Sequence, residues 1–304
     1  MKEDLISIEY LETQSILEIL DLTEKIKSDK GKYADALKGK SLGLIFQKPS
    51  NRTRVSFEIG MVQLGGNALY LGPDEIDMGG RESIKDVACV LSRYLDGIVA
   101  RTFNHDDIKE LALYADVPVI NGLSDRGHPC QAIADIFTIK EKFGKFNGLT
   151  LSYVGDGNNV LNSLMCAAAK VGLDIKIATP KGYEPAKELV AAAKKFAGLS
   201  GSKIEILNDP KSAVKGADVI YTDVWVSMGQ EKDAKKRLKA FKGFQVNAGL
   251  MKPAKKDCLV MHCLPAHRGR EITDSVIDSD NSIVYDQAEN RMHAQKAILL
   301  RLLK

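Results

Sequence analysis

The sequence predicts an α/β protein of two domains, each an open parallel sheet flanked by helices, with a C-terminal helix closing back on the first domain. Three observations lead there. Short apolar runs alternate with amphipathic helical stretches and no hairpin signal joins any two of the runs, which implies crossover connections and parallel pairing. The alternation passes through one long helical stretch at residues 129–143 and then begins again. At 304 residues the chain also exceeds the roughly 250–300 that a single core usually serves. The expected division is 1–140 and 141–286, with 287–304 returning to the first domain.

Taken in order, residues 13–29 carry Ile16, Leu17, Ile19, Leu20 and Leu22 at helical spacing behind Thr13, a suitable cap. A buried strand is expected at 42–46, followed by a helix with Val55, Ile59, Met61 and Val62 as its apolar residues, stopped at Gly65-Gly66. Next come a strand at 68–71, a polar loop over 72–81, a helix at 83–94 with Ile84, Val87, Val90 and Leu91 on one side, and a strand at 97–100 that ends in Arg101. A helix at 106–114 and a strand at 117–120 complete the first series. The second series has strands at 149–154, 175–178, 204–207, 219–222 and 259–262, an Ala-rich helix ending at Val171, and a helix at 184–197. The stretch 287–303 is long enough to be one closing helix.

Composition excludes several classes of function. With 43 Lys and Arg against 40 Asp and Glu the net charge is only +3, and the cations are scattered, so no nucleic-acid surface is expected. No apolar run reaches the roughly 20 residues that span a bilayer, and Met-Lys-Glu-Asp begins no secretory signal. Five cysteines, an odd number without CxxC spacing, fit reduced thiols and a cytoplasmic protein.

In a parallel sheet functional groups gather at the C-terminal ends of strands. Ser50, Asn51, Arg52, Thr53 and Arg54 stand on such a strand-to-helix turn, where free backbone N–H groups and the helix dipole attract an anion. The turn reads either as a phosphate site or as an ordinary N-cap by Ser50 or Thr53 with solvated arginines. His128, followed by Pro129 and Gln131 at a helix start, is either functional or packed under the helix. Gly155-Asp156-Gly157-Asn158-Asn159 follows a strand, but lacks the third glycine of a dinucleotide fingerprint, and no acidic residue ends the next strand. Two adjacent asparagines suit a zwitterionic small molecule better than a pyrophosphate. Asp223, ahead of Ser227-Met228-Gly229, either caps a turn or holds an amine. Cys263 reads equally well as a buried small hydrophobe. Arg291, between apolar turns, is expected to face solvent. The five histidines show no HxxxH or HxH spacing, so neither a metal nor any other cofactor is expected.

Together Phe46-x-Lys48-x-Ser50-x-Arg52-Thr53-Arg54, Arg101, His128-Pro129-x-Gln131, Asp156-Gly157-Asn158-Asn159, Asp223-x-Trp225-x-Ser227-Met228-Gly229, His262-Cys263-Leu264-Pro265 and Glu289-Asn290-Arg291 resemble the aspartate/ornithine transcarbamylase family. Ser-Met-Gly and His-Cys-Leu-Pro point within it to the ornithine carbamoyltransferases. The resemblance implies a first domain for carbamoyl phosphate, a second for ornithine, and transfer of the carbamoyl group to the δ-amine to give citrulline and phosphate. It also implies a trimer with shared active sites.

Residue by residue, the resemblance implies that Ser50, Asn51, Arg52 and Thr53 hold the phosphate. Arg101, His128, Gln131 and Thr53 surround the carbamoyl group. Asn159, Asp223, Ser227 and Met228 take the amino and carboxylate groups of ornithine. Cys263 and Leu264 lie near the attacking amine, and Arg291 faces the leaving phosphate. The catalytic set is thus Arg101, His128, Cys263 and Arg291. Two residues differ from the family's usual pattern. Asn51 replaces threonine, and Asp77 stands where Gln or His of a neighbouring subunit often reaches the phosphate. A carboxylate there repels a phosphate by a few kcal/mol at an effective dielectric of about 20, so if Asp77 belongs to the carbamoyl phosphate site it is expected to turn away, to pair with Arg52, Arg54 or Arg81, or to weaken binding. The alternatives are a transcarbamylase for another amine, such as putrescine or an acylated ornithine, and a catalytically silent ligand-binding paralogue.

Overall fold

The structure, a computed structural model, describes residues 2–29, 31–227 and 229–304. Met228 therefore lies outside the described residues. The chain forms two compact units, Met1–Phe137 with Glu289–Lys304, and Thr138–Ala288.

In the first unit helix α1 (Thr13–Ser28) precedes β1 (Ser41–Phe46), α2 (Asn51–Gln63), β2 (Asn67–Leu71), α3 (Ile84–Leu91), β3 (Gly97–Arg101), α4 (His105–Tyr114), β4 (Val119–Leu123) and the start of α5 (Pro129–Phe143). The four strands pair in parallel in the order β2-β1-β3-β4. One core lies where β1, β3 and β4 meet α3 and α4, built from Ile45, Ile98, Val119, Val87, Ile108 and Leu111. The order reverses between β1 and β3, which is where open α/β sheets place their ligands.

Helix α2 corrects the sequence reading of its faces. Of its expected apolar residues only Met61 is buried, whereas Val55, Ile59 and Val62 are 52%, 41% and 63% exposed. The inward face is made instead of Thr53, Ser56, Phe57, Gly60 and Met61. A Cβ on Gly60 would meet the side-chain atom Lys296 Cγ at 3.4 Å, so the side chains of α12 fill the space that a larger residue would need. Strand β4 begins and ends later than the expected 117–120. Asn121 and Gly122 look like loop residues, yet Asn121 donates its backbone N–H to Leu5 O at 2.8 Å and its side-chain amide to Ile6 O at 2.9 Å.

The second unit continues α5 and adds β5 (Thr150–Val154), α6 (Asn159–Val171), β6 (Asp174–Ala178), α7 (Lys187–Ser200), β7 (Ile204–Leu207), α8 (Pro210–Val214), β8 (Val219–Thr222), α9 (Ala234–Ala240), α10 (Ala248–Met251), β9 (Leu259–His262), α11 (Asp274–Ile277) and the first turn of α12 (Val284–Leu303). Its parallel sheet runs β7-β6-β5-β8-β9, with the reversal between β5 and β8. Trp225, Phe241, Phe244, Val246, Val260 and Ile272 centre its core. Helices α8 to α11 escaped the sequence reading because four to seven residues are too few to display a helical period. The remainder of α12 belongs to the first unit, where Arg301 bonds Glu18 at 2.6 Å and Ser15 at 2.8 Å on α1.

Candidate functional site

Each unit carries a cluster of chemically active groups at its sheet's reversal point. In the first unit Ser50 caps α2, its Oγ accepting the Thr53 N–H at 3.3 Å. That bond satisfies one of the first-turn amides and leaves others of that turn for an incoming anion. Arg52 lies in this turn, and Arg101 ends β3, the strand next to β1. Arg101 is 95% buried by its 5% residual exposure, and its Nε has no hydrogen-bond partner among the described residues. Burial, then Arg291, then Arg52 draw its pKa down to about 10, so it stays cationic at neutral pH.

His128 is equally buried, and burial followed by the charges of Arg291 and Arg101 holds its pKa well below the usual histidine value. It is therefore neutral. Arg291, expected in solvent, is instead 4% exposed. Its Nη1 donates to Gln131 Oε1, and its Nη2 donates to Thr53 Oγ1 at 3.1 Å. Gln131 in turn donates to Asp135 at 2.8 Å, which fixes the orientation of its amide. Thus Thr53, Gln131 and Arg291 form one connected group.

Lys48 stands in the motif, but the sequence reading assigned it no role. It is 8% exposed, its ammonium is 4.7 Å from the Phe103 ring centroid, and its pKa is lowered by burial and by Arg101, against the pull of Asp125. Among the described residues no carboxylate makes an ion pair with Arg52, Arg101 or Lys48. This much unneutralised positive charge in one place attracts small multivalent anions. Gln47 joins the loops after β1 and β3, accepting the Phe103 N–H at 2.8 Å and donating to Asp107 at 3.2 Å. Asp77 pairs with none of the three guanidinium groups: its carboxylate accepts the backbone N–H of Arg81 at 3.0 Å and closes the turn it stands in.

In the second unit the centre is Asp223, just beyond β8 and 5% exposed. It accepts the Asn158 side-chain amide at 2.7 Å and the Cys263 thiol at 3.1 Å. Asn158, which the sequence reading passed over in favour of its neighbour, also caps α6 through bonds from the Val160 and Leu161 N–H groups at 3.0 and 3.1 Å. Asn159 is the first residue of α6. The Ser227 N–H donates to Gln230 at 3.1 Å.

Cys263 is half-buried, and Leu264 beside it has φ of +57°, a conformation costly for a branched side chain. His262 Nδ1 accepts the Leu264 N–H at 2.9 Å, so the ring proton is on Nε2, facing Glu271 Oε1 at 3.2 Å. These bonds hold the strained turn. Ligand atoms of Asp223, His262 and Cys263 lie within 4.8 Å of one another. With both nitrogens of His262 engaged, a cation here would have to break the turn's own hydrogen bonds.

Arg237 gave no sequence signal, since Lys-Lys-Arg-Leu-Lys on a helix reads as a solvated face. The structure buries it: Nε donates to Trp225 O at 2.6 Å, Nη2 pairs with Asp156, and the guanidinium lies 4.8 Å from the Tyr183 ring centroid. Burial lifts Asp156 to about 6 despite Arg237, with Asp223 adding to the rise. A carboxyl whose folded pKa is raised holds its proton more tightly in the native state, so its contribution to stability falls as pH climbs from about 4 to 6. Asp156→Asn removes this dependence. Relative to the parent the variant is expected to gain roughly 3 kcal/mol between pH 4 and 7.5, at about 1.4 kcal/mol per tenfold change in proton affinity. Thermal melts of both proteins at the two pH values check it, and parallel pH profiles would refute it.

The sequence matches two family models, the carbamoyl-P binding domain of aspartate/ornithine carbamoyltransferase over residues 3–141 and the Asp/Orn binding domain over 147–302. An ornithine carbamoyltransferase of Pyrococcus horikoshii is 56% identical over 302 residues, covering 99% of this chain and 95% of the relative. The anabolic enzyme of Pyrococcus furiosus is 56% identical over 298 residues, covering 97% and 95%. The solved ornithine carbamoyltransferase of Pyrococcus furiosus superposes with a TM-score of 0.96 at 55% identity, covering 99% of this chain and 97% of that one. The ornithine transcarbamoylase of Giardia lamblia, at 36% identity, still reaches 0.92 over 100% and 98% of the two chains.

Proposed function

The chain belongs to the aspartate/ornithine carbamoyltransferase family, and we infer from that membership that it transfers the carbamoyl group of carbamoyl phosphate to the δ-amine of L-ornithine, yielding L-citrulline and phosphate for arginine biosynthesis. The observation that carries the reading is the unneutralised charge of Arg52 and Arg101 beside the α2 N-terminus, which suits a phosphate dianion.

Each residue role belongs to this proposal. Ser50, Asn51, Arg52 and Thr53 with the first-turn amides receive the phosphate. Arg101, Thr53, Gln131 and neutral His128 surround the carbamoyl group, whose oxygen gains negative charge as the carbon becomes tetrahedral, and Arg291 faces the leaving phosphate. A neutral imidazole serves as a donor there without adding another cation. On the other unit Asp223 takes the α-ammonium group, and Asn159, Ser227 and Met228 take the rest of the amino-acid end. Cys263 and Leu264 lie beside the δ-amine. In the reaction the amine nitrogen bonds to the carbonyl carbon, the bond from that carbon to the phosphate oxygen breaks, and the amine releases one proton. The amine's reference pKa is near that of lysine, about 10.4, so nearby cations help by favouring its unprotonated form. Because carbamoyl phosphate is already activated, positioning and electrostatics supply most of the acceleration and no cofactor enters.

A trimer and a cytoplasmic location are parts of the same proposal. Val55, Ile59 and Val62 form an exposed stripe on α2, and Leu69, 55% exposed, lies on the neighbouring edge strand β2. Covering such a stripe is what a second copy of the chain would do, and sedimentation at three chain masses is the expected result. No disulfide joins any of the five cysteines, which suits a reducing compartment. No helix among the described residues is long and apolar enough to cross a membrane.

Citrulline formation tests the function. Ornithine is expected to be used far better than putrescine, acetylornithine or aspartate at equal concentration. A diamine lacks the α-carboxylate, and acylation removes the cation that Asp223 would pair with. Preference for another amine would replace the substrate assignment, and no citrulline with any amine would favour a silent ligand-binding protein.

A further inference from the structure

We propose that His105, which belongs to none of the motifs, is a positioning residue for carbamoyl transfer: through Ser124 it fixes the turn that delivers His128. This rests on the reading of His128 as a ligand of the carbamoyl group. The two loops concerned follow β3, which ends in Arg101, and β4, which leads to His128. His105 joins them twice. Its backbone N–H donates to Asp125 at 2.8 Å, and its Nδ1 lies 2.8 Å from Ser124 Oγ, with both residues buried.

Ser124 Oγ is the organising atom of the turn. It accepts the Gly127 N–H at 3.4 Å and the Asn121 side-chain amide at 3.3 Å, while the Ser124 N–H donates to Gly127 O at 3.0 Å. The short contact to Nδ1 is the bond that ties this atom to the loop after β3, and the other ring nitrogen, Nε2, is buried with no hydrogen-bond partner among the described residues. Ser124 is wholly buried and therefore has no role as a nucleophile.

The contact with Ser124 thus connects His105 to the His128 turn directly. The charged groups acting on His105 are Lys109 and Asp106 on α4 and Arg126 and Asp125 on the loop. Burial is the largest influence, with Lys109 and Arg126 also lowering its pKa and the two carboxylates opposing them. The neutral ring is the form that holds the loop.

The experiment compares parent, His105→Ala, His105→Asn and His105→Gln in steady-state citrulline formation, with melting temperatures. Asparagine can put its side-chain amide where Nδ1 stood and keep a hydrogen bond to Ser124 Oγ, as donor or as acceptor. Glutamine reaches toward the Nε2 position, misses Ser124 and preserves more of the buried volume if the alanine variant does not fold. The expected result is a kcat lower by about tenfold in Ala and Gln with ornithine KM within about twofold of the parent. In Asn, kcat recovers. Parental kcat in the Gln variant, or Asn and Gln equally impaired, overturns the proposal while the functional reading survives in an active parent. A parent that makes no citrulline overturns both.

Discussion

Arg101→Met is expected to reduce citrulline formation by about a thousandfold while the protein melts at or above the temperature of the parent. Loss of a single preorganised donor to a developing oxyanion commonly costs about 100- to 1,000-fold, and here a full charge is lost with it. The stability half of the prediction follows from the same geometry. Arg101 is a buried cation, repelled by Arg291 and Arg52, with an Nε that finds no acceptor among the described residues. Replacing buried ions by apolar side chains of similar volume is often neutral or stabilising by about 1–4 kcal/mol. The folded protein therefore carries a cost that a bound anion relieves, as expected where stability has been traded for activity. Differential scanning calorimetry beside an assay distinguishes the cases. A Met variant that melts well below the parent would mean that Arg101 stabilises the fold, and retention of more than about a tenth of the turnover would remove it from the oxyanion role.

Asp223→Asn is expected to raise the KM for ornithine by about 100-fold and to leave that for carbamoyl phosphate within about twofold. The size follows from a charge-assisted hydrogen bond worth about 1.5–3 kcal/mol, or roughly 10- to 150-fold in affinity. Asparagine is the informative replacement because it conserves local structure. Its carbonyl can still accept the Asn158 amide, which bonds the Asp223 carboxylate at 2.7 Å in the parent, and the Cys263 side chain keeps a polar neighbour. Only the negative charge is lost. Equal ornithine KM in variant and parent would show that the α-ammonium group binds elsewhere, and a parallel rise in both KM values would point to a distorted site.

The two clusters were legible in the sequence to different depths. Ser50 to Arg54 announced themselves because a strand-to-helix turn concentrates hydroxyls and guanidinium groups within five residues, and the N-cap bond from Thr53 to Ser50 is a local interaction. Asp223 was legible from its place at a strand end. That it bonds Asn158 and Cys263 was not, because 65 and 40 residues of chain separate them from it and only the strand order brings them together. Arg291 was legible only through the resemblance, for a similar reason. An arginine on a helix normally faces water, and what buries this one is contact with Thr53 and Gln131, distant in sequence.

The sequence by itself determined the alternation of strands and helices, the doubling of the fold, and the residues at the strand ends, since periodicity and turn chemistry are properties of neighbouring residues. Tertiary structure alone decided which face of α2 is inward, that Arg237 on a lysine-rich helix is buried against Asp156, and that Asp77 spends its carboxylate on a backbone amide. The physical reason is that burial and electrostatic environment are set by what packs against a residue. In a parallel sheet those neighbours come from strands and loops tens of residues away.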